Sequence, residues 1–263
     1  MDSRPNATEV AGRLLALRCV VTHAMATPPR DSFEQLFGQR SVAEREDFAQ
    51  KSESLAKAYW NTVNVSPIFP YLSPWEREFA NSTILTTSSQ DQIDALWRAE
   101  AAQVLMWALC LIEELPAPDA QANPNLLRSE ALSRPVEFLA SPVLRSEREI
   151  DHAREIAELW HWRSRTEELI RDGRSLPSDE NRIKQGIRSY HDIVRLAATS
   201  AHQRNDVHLV ITGDFGVKGK AYAQLTPEEW SEARSISLER HRALNWLCGY
   251  SPNNDWDSTP TDT

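Results

Sequence analysis

At Asn6 with Glu9, Ser73 with Glu76, Ser146 with Glu149, and Thr226 with Glu229, a small polar residue stands three places ahead of a glutamate, at the head of an apolar repeat of helical period. In each pair the first side chain can accept from the third residue's amide while the glutamate reaches back to the first residue's amide, which satisfies groups that a helix start leaves bare. The sequence therefore announces helices at places spread over its whole length. Glycine, the residue that tight β-turns and phosphate loops need, occurs only 8 times in 263 residues, so a mainly α fold of about six to eight helices in one domain, 1–263, is expected.

The apolar spacing fills in the plan. Val10, Leu14, Leu17 and Val21 predict a first helix ending before Thr27-Pro28-Pro29, and Phe48, Leu55 and Tyr59 predict a half-exposed helix over 41–62. Ser73-Pro74-Trp75-Glu76 opens a short helix, and the strongest helix of the chain is expected over 89–115. A long one is expected from Ser146 toward Gly173, another from Ser178 to about Ala201, and a last one from Thr226 to Cys248, stopped by Gly249. Alternation around Val207, Leu209 and Ile211, followed by Gly213-Asp214-Phe215-Gly216, predicts one small β-hairpin near residues 207–223. Pro116, Pro118 and Pro124 mark a Pro-rich surface connection at 116–128.

Charge and cysteines narrow the setting. With 29 Lys+Arg against 38 Asp+Glu the formal charge is −9, a field that repels nucleic acid. The opening MDSRPNATEV shows no secretory pattern, and the longest apolar run, 101–112, is too short for a bilayer that needs about 20 residues, so no membrane contact is expected. Cys19, Cys110 and Cys248 are read as buried thiols in a reducing cytoplasm, with no metal and no cofactor.

Familiar catalytic spellings fail on inspection. Asp214-Phe215-Gly216 and Gly219-Lys220 carry letters of a kinase loop and of a phosphate loop. The chain lacks the companion residues: Asp214 stands where the phosphate loop needs its first Gly, Ala221 where it needs Ser or Thr, and Ala243 follows His241-Arg242 where a kinase needs Asp. The pairs Glu149/His152 and Glu158/His161 have di-metal spacing, but nine residues put them about 180° apart around one helix.

Charges inside apolar arcs stand out instead. At 100° per residue, Ile93, Trp97, Val104, Trp107, Ala108 and Leu111 share a face that includes Glu100, while Trp230, Ala233, Ile236, Leu244 and Leu247 share one that includes Arg240. Burying either charge alone would cost several kcal/mol. A Glu100–Arg240 contact is therefore predicted, with Ser237 and indole donors closing the shell, either as a structural pair or as the lining of a pocket that grips an anion. His161, between Trp160 and Trp162, flanks the apolar arc of its helix.

The segment Glu239-Arg240-His241-Arg242-Ala243-Leu244-Asn245-Trp246-Leu247-Cys248-Gly249-Tyr250, the following Asp255-Trp256-Asp257, the end Thr261-Asp262-Thr263, the stretch from Trp97 to Pro116 and His161-Trp162 together resemble the bacterial domain-of-unknown-function family 4272, from about Ala7 to the end. The resemblance carries no established activity. It marks Trp97, Arg98, Glu100, Trp107, His161, Trp162, Arg240, Asn245, Trp246, Asp257 and Asp262 as motif positions. The tail, 251–263, is expected to dock on the body through Trp256, with Asp255, Asp257, Asp262 and the α-carboxylate meeting arginines such as Arg98 or Arg234.

Three functions stay open at this point. The favoured one is an acidic binding protein, of the immunity or accessory kind, that engages a basic protein partner. The alternative is an enzyme in which Arg98, Arg240, His241, Asn245 and Trp246 hold a small anion while Glu100 or His161 handles a proton. The third is a homo-oligomeric scaffold packed through its Trp-rich helices.

Overall fold

In the computed structural model, which describes residues 4–27 and 29–262, helices hold 64% of the residues. The elements are α1 (Ala7–Ala26), α2 (Arg30–Phe37), α3 (Val42–Asn64), α4 (Pro74–Ala80), α5 (Ser89–Ala108), α6 (Pro135–Ala140), α7 (Glu147–Arg171), α8 (Glu180–Lys184) and α9 (Tyr190–Gln203). After α9 come β1 (Val210–Ile211), β2 (Asp214–Val217), β3 (Lys220–Ala221) and α10 (Pro227–Leu247). Six α-helices run fourteen residues or longer among the described residues. The reciprocal capping bonds form at Asn6, Ser73, Ser146 and Thr226, and also at Ser41 and Ser189.

The frame of the domain is four helices in the spatial order α1, α5, α10, α7. Their shared core takes Val10, Leu14 and Leu17 from α1, Val104, Leu105 and Ala108 from α5, Ile150 and Ala153 from α7, and Ala243, Leu244 and Leu247 from α10, with Trp256 of the tail added. A flanking cluster lies where α3 and α4 meet α1. Another forms where α9 and the strands meet Trp160 of α7 and Ala233 of α10. The apolar window at the N-terminus has the hydropathy of a membrane span, and 78% of it is buried inside the fold.

Three boundaries differ from the sequence reading. α5 stops at Ala108 rather than 115 because Cys110 takes a left-handed φ of 59° and the amides of Cys110 and Leu111 turn back to the carbonyls of Trp107 and Met106, a termination normally built on glycine. Arg145 reinforces that end from another segment, donating to the carbonyls of Trp107, Ile112 and Glu113. As a result Cys110 is exposed, and only Cys19 and Cys248 are buried thiols. The helix expected from Ser178 to Ala201 is two, α8 and α9, separated at Gly186, whose φ is +77°. The expected hairpin is a three-stranded antiparallel sheet in the order β1-β2-β3. Thr212-Gly213 and Lys218-Gly219 both have positive φ throughout and so form two tight turns of the hairpin-favouring hand, which makes Asp214–Val217 the central strand.

Candidate functional site

Glu100 and Arg240 meet. Nε and Nη2 of Arg240 approach Glu100 Oε2 at 2.9 and 2.8 Å, with the residues 7% and 2% exposed. The remaining shell differs from the expectation. In place of Ser237 and indoles, the Pro-rich connection supplies the partners: Arg240 Nη1 donates to the carbonyls of Pro116 and Ala117 at 2.9 and 3.0 Å, and Nη2 donates to that of Ala120 at 2.6 Å. Glu100 Oε1 accepts from the Ala122 amide at 2.7 Å, and Gln103 one turn on accepts from the Asn123 amide. A segment rich in proline has few amides with which to form its own structure, so α5 and α10 supply donors and acceptors to it through one ion pair. Every donor nitrogen of Arg240 has a partner within the protein.

The neighbouring charges are committed as well. Arg98 Nη1 straddles both oxygens of Glu239, with its guanidinium over Trp75. Glu239 also holds Arg242, and Trp97 is half-buried on the same turn of α5 as Arg98. Trp107 is buried beneath the guanidinium of Arg145. The proposed anion holders Arg98, Arg240 and Asn245 are thus each bonded to a different set of partners within the protein. Asn245 Oδ1 accepts from Arg154 Nε at 2.8 Å, and its Nδ2 donates to the Pro260 carbonyl at 2.8 Å.

Between α7 and α10 the structure brings together two residues that the sequence reading had kept apart. His161 Nδ1 and His241 Nδ1 stand 3.0 Å from each other in a buried contact. Burial, with Arg165 and Arg234 nearby, lowers His161 to about 4; burial, with His161 and Arg154 nearby, lowers His241 to about 3. Both rings are neutral near pH 7, so the contact is a hydrogen bond from one Nδ1–H to the other bare Nδ1.

The tail does lie on the body. Trp256 is buried, edge-on to Trp246 with centroids 5.4 Å apart and under the guanidinium of Arg13, while Trp246 Nε1 donates to the Asn254 carbonyl. Asp257 lies close enough to Arg242 to act on it through its charge, but Arg98 and Arg234 do not take the tail carboxylates. Asp255, Asp257 and Asp262 are exposed, and Asp255 takes the Asp257 amide and the Ser258 hydroxyl. Arg98 and Arg234 bond glutamates of the helices instead. The α-carboxylate of Thr263 lies outside the described residues.

A further buried cluster had gone unread. Arg163, 1% exposed, donates Nε and Nη2 to the two oxygens of Asp214 at 2.7 and 2.8 Å and Nη2 to Glu167 at 3.0 Å. Glu167 also accepts from Arg171, and Asp214 takes the amides of Phe215 and Ala223. Burial pulls the Arg163 guanidinium down, but Asp214 and Glu167 outweigh it and hold it above its ordinary value. Asp214, the aspartate of the kinase-like spelling, is thus the clasp that fixes the small sheet to α7. The i, i+4 run of Arg163, Glu167 and Arg171 was the available signal. Similarly Arg13, inside the apolar face of α1, pairs with buried Glu76 and donates to the Tyr71 carbonyl.

Two hollows open to solvent. A groove of about 420 Å³ runs between α7 and the end of α9, lined by Glu155, Glu158, Leu159, Trp162, Arg204 and Asp206. Trp162 is half-buried in its wall, Glu155 is exposed, and Arg204 is held by Asp206 at 2.7 Å. A second hollow of about 530 Å³ beside α6 has Leu109, Leu111, Phe138 and Val143 in its lining, with Arg134 between Glu130 and Glu137. Among the described residues no three His, Cys, Asp or Glu side chains group as a metal would require.

No curated protein and no solved structure matches the chain. One family model does, over residues 2–181, so the match takes in α1 to α7 and Glu100 but ends before the sheet, α10 and the tail that carried part of the resemblance. By that match the chain belongs to the family described as domain of unknown function DUF4272.

Proposed function

We propose that this chain is a binding protein for a basic partner, which it engages through the acidic groove on α7. The observation that carries the reading is the lining of that groove: Trp162 offers an aromatic face beside the exposed carboxylate of Glu155 and beside Glu158, which pairs with Arg154 at 3.2 Å, a combination that takes an arginine or lysine side chain by ion pairing and by cation–π attraction. The net charge of −9 adds long-range steering of a cationic partner. Three free thiols suit a reducing, cytoplasmic setting. The enzyme reading draws less support, since the guanidinium groups it needs are occupied by glutamates and carbonyls.

The test is a titration of the full chain with a short arginine- and lysine-rich peptide, followed by tryptophan fluorescence and calorimetry at low and moderate salt. Binding is expected to weaken with salt, and the double variant Glu155→Gln/Glu158→Gln is expected to bind roughly tenfold more weakly, as loss of two rim charges implies. Equal affinity of the variant, or affinity indifferent to salt, would remove the basis of the reading. Heat released on adding phosphate or acetate, lost in Arg240→Lys, would favour the enzyme instead.

A further inference from the structure

We propose that the His161–His241 contact is an acid-sensitive latch between α7 and α10, closed while both rings are neutral and released when either takes up a proton. The geometry carries this. The two Nδ1 atoms face each other at 3.0 Å, and a proton added to the accepting ring would leave two N–H groups pointing at one another. His241 is fully buried and its Nε2 has no hydrogen-bond partner, so the pair has no protein acceptor for a second proton at that atom.

The charged groups around the pair reinforce the effect. On α7 they are Arg154, paired with Glu158, and Arg165, paired with Glu168; on α10, Arg234, which also reaches Glu168. On α5, which packs against α10, Glu100 is paired with Arg240, the residue that precedes His241 in sequence. No carboxylate among the described residues is hydrogen-bonded to either ring, so an imidazolium here would meet mainly cations. Release has a route outward as well: one turn beyond His241, Asn245 ties Arg154 of α7 to Pro260 of the tail, so parting of the two helices loosens the tail.

Both rings ionise well below an ordinary histidine, which sets the sign. A group whose protonated form is disfavoured by the fold supplies stability that is fully present above the unfolded value of about 6.5 and is lost as the pH falls toward the folded value. The experiment compares urea unfolding of the full chain and of His161→Asn/His241→Asn at pH 7.5 and 5.0. The folding equilibrium constant of the native chain is expected to fall at least about tenfold more than that of the variant. His23, buried and likewise lowered by burial, is present in both and cancels. An equal pH dependence in the two proteins would overturn the latch. Should the variant not fold, nitrogen-15 NMR of the native chain decides: the latch requires two neutral rings of opposite tautomer at pH 5.5, and titration of either ring near 6.5 would refute it.

Discussion

Arg240→Ala is expected to cost about 3–5 kcal/mol of folding stability, the range for removing one partner of a buried ion pair, read as a lower urea midpoint with an unchanged slope. The loss is larger than that of one interaction because the substitution strands several groups together. Glu100, 2% exposed, is left with only the Ala122 amide as donor, and the carbonyls of Pro116, Ala117 and Ala120 lose theirs. Arg240→Lys should recover only part of the stability, since an ammonium cannot reproduce the fork that spans Glu100 and three carbonyls. A variant near native stability would show that the pair contributes little and that water satisfies the connection.

Arg163→Met is expected to cost as much, about 3–5 kcal/mol, although it nearly preserves side-chain volume. Two carboxylates, Asp214 and Glu167, are left in a buried position. Glu167 retains Arg171, but Asp214 retains only the amides of Phe215 and Ala223. The damage should be local as well as global: Asp214 is the first residue of the central strand, so amide exchange in β1, β2 and β3 is expected to accelerate more than exchange in α1 or α5. Replacing Asp214 and Arg163 together by apolar residues should restore part of the loss, because the stranded charge goes with its partner. Uniform acceleration across all helices would argue against the clasp.

The helix starts were legible because a capping box is a local device: Ser146 and Glu149 are three residues apart and need nothing from elsewhere. Glu100 and Arg240 were legible for a different reason. Helical projection put each charge in an apolar arc, and two buried charges of opposite sign have few inexpensive solutions other than each other. The projection could not show that the shell around them would be backbone of the Pro-rich connection, since carbonyl positions in an irregular segment follow from the fold and leave no trace in residue type. The end of α5 was missed because the left-handed position is filled by Cys110, where glycine would have announced it.

The β-sheet illustrates the same limit. Asp214-Phe215-Gly216-Val217 looks like a turn between strands when read locally, yet Lys218-Gly219 and Thr212-Gly213 supply the turns and the buried Asp214 gains a partner 51 positions away. His161 and His241 lie 80 residues apart, and nothing in the helical phase of either separates an interfacial histidine from a lone boundary one. The tail was half legible. Trp256 had to find cover, and did, while the aspartates stay exposed and Asp257 acts on Arg242 through its charge alone.

The central claim is that the Glu100–Arg240 pair holds the Pro-rich connection against α5 and α10. Amide hydrogen exchange at Ala122 and Asn123 in the intact chain tests it most directly, because these two amides end on Glu100 and Gln103 at 2.7 and 3.1 Å. Both amides are expected to show protection that approaches that of the helices, lost at Ala122 in Glu100→Gln when the charge that holds it is removed. Exchange at the rate of an open loop in the native chain would contradict it.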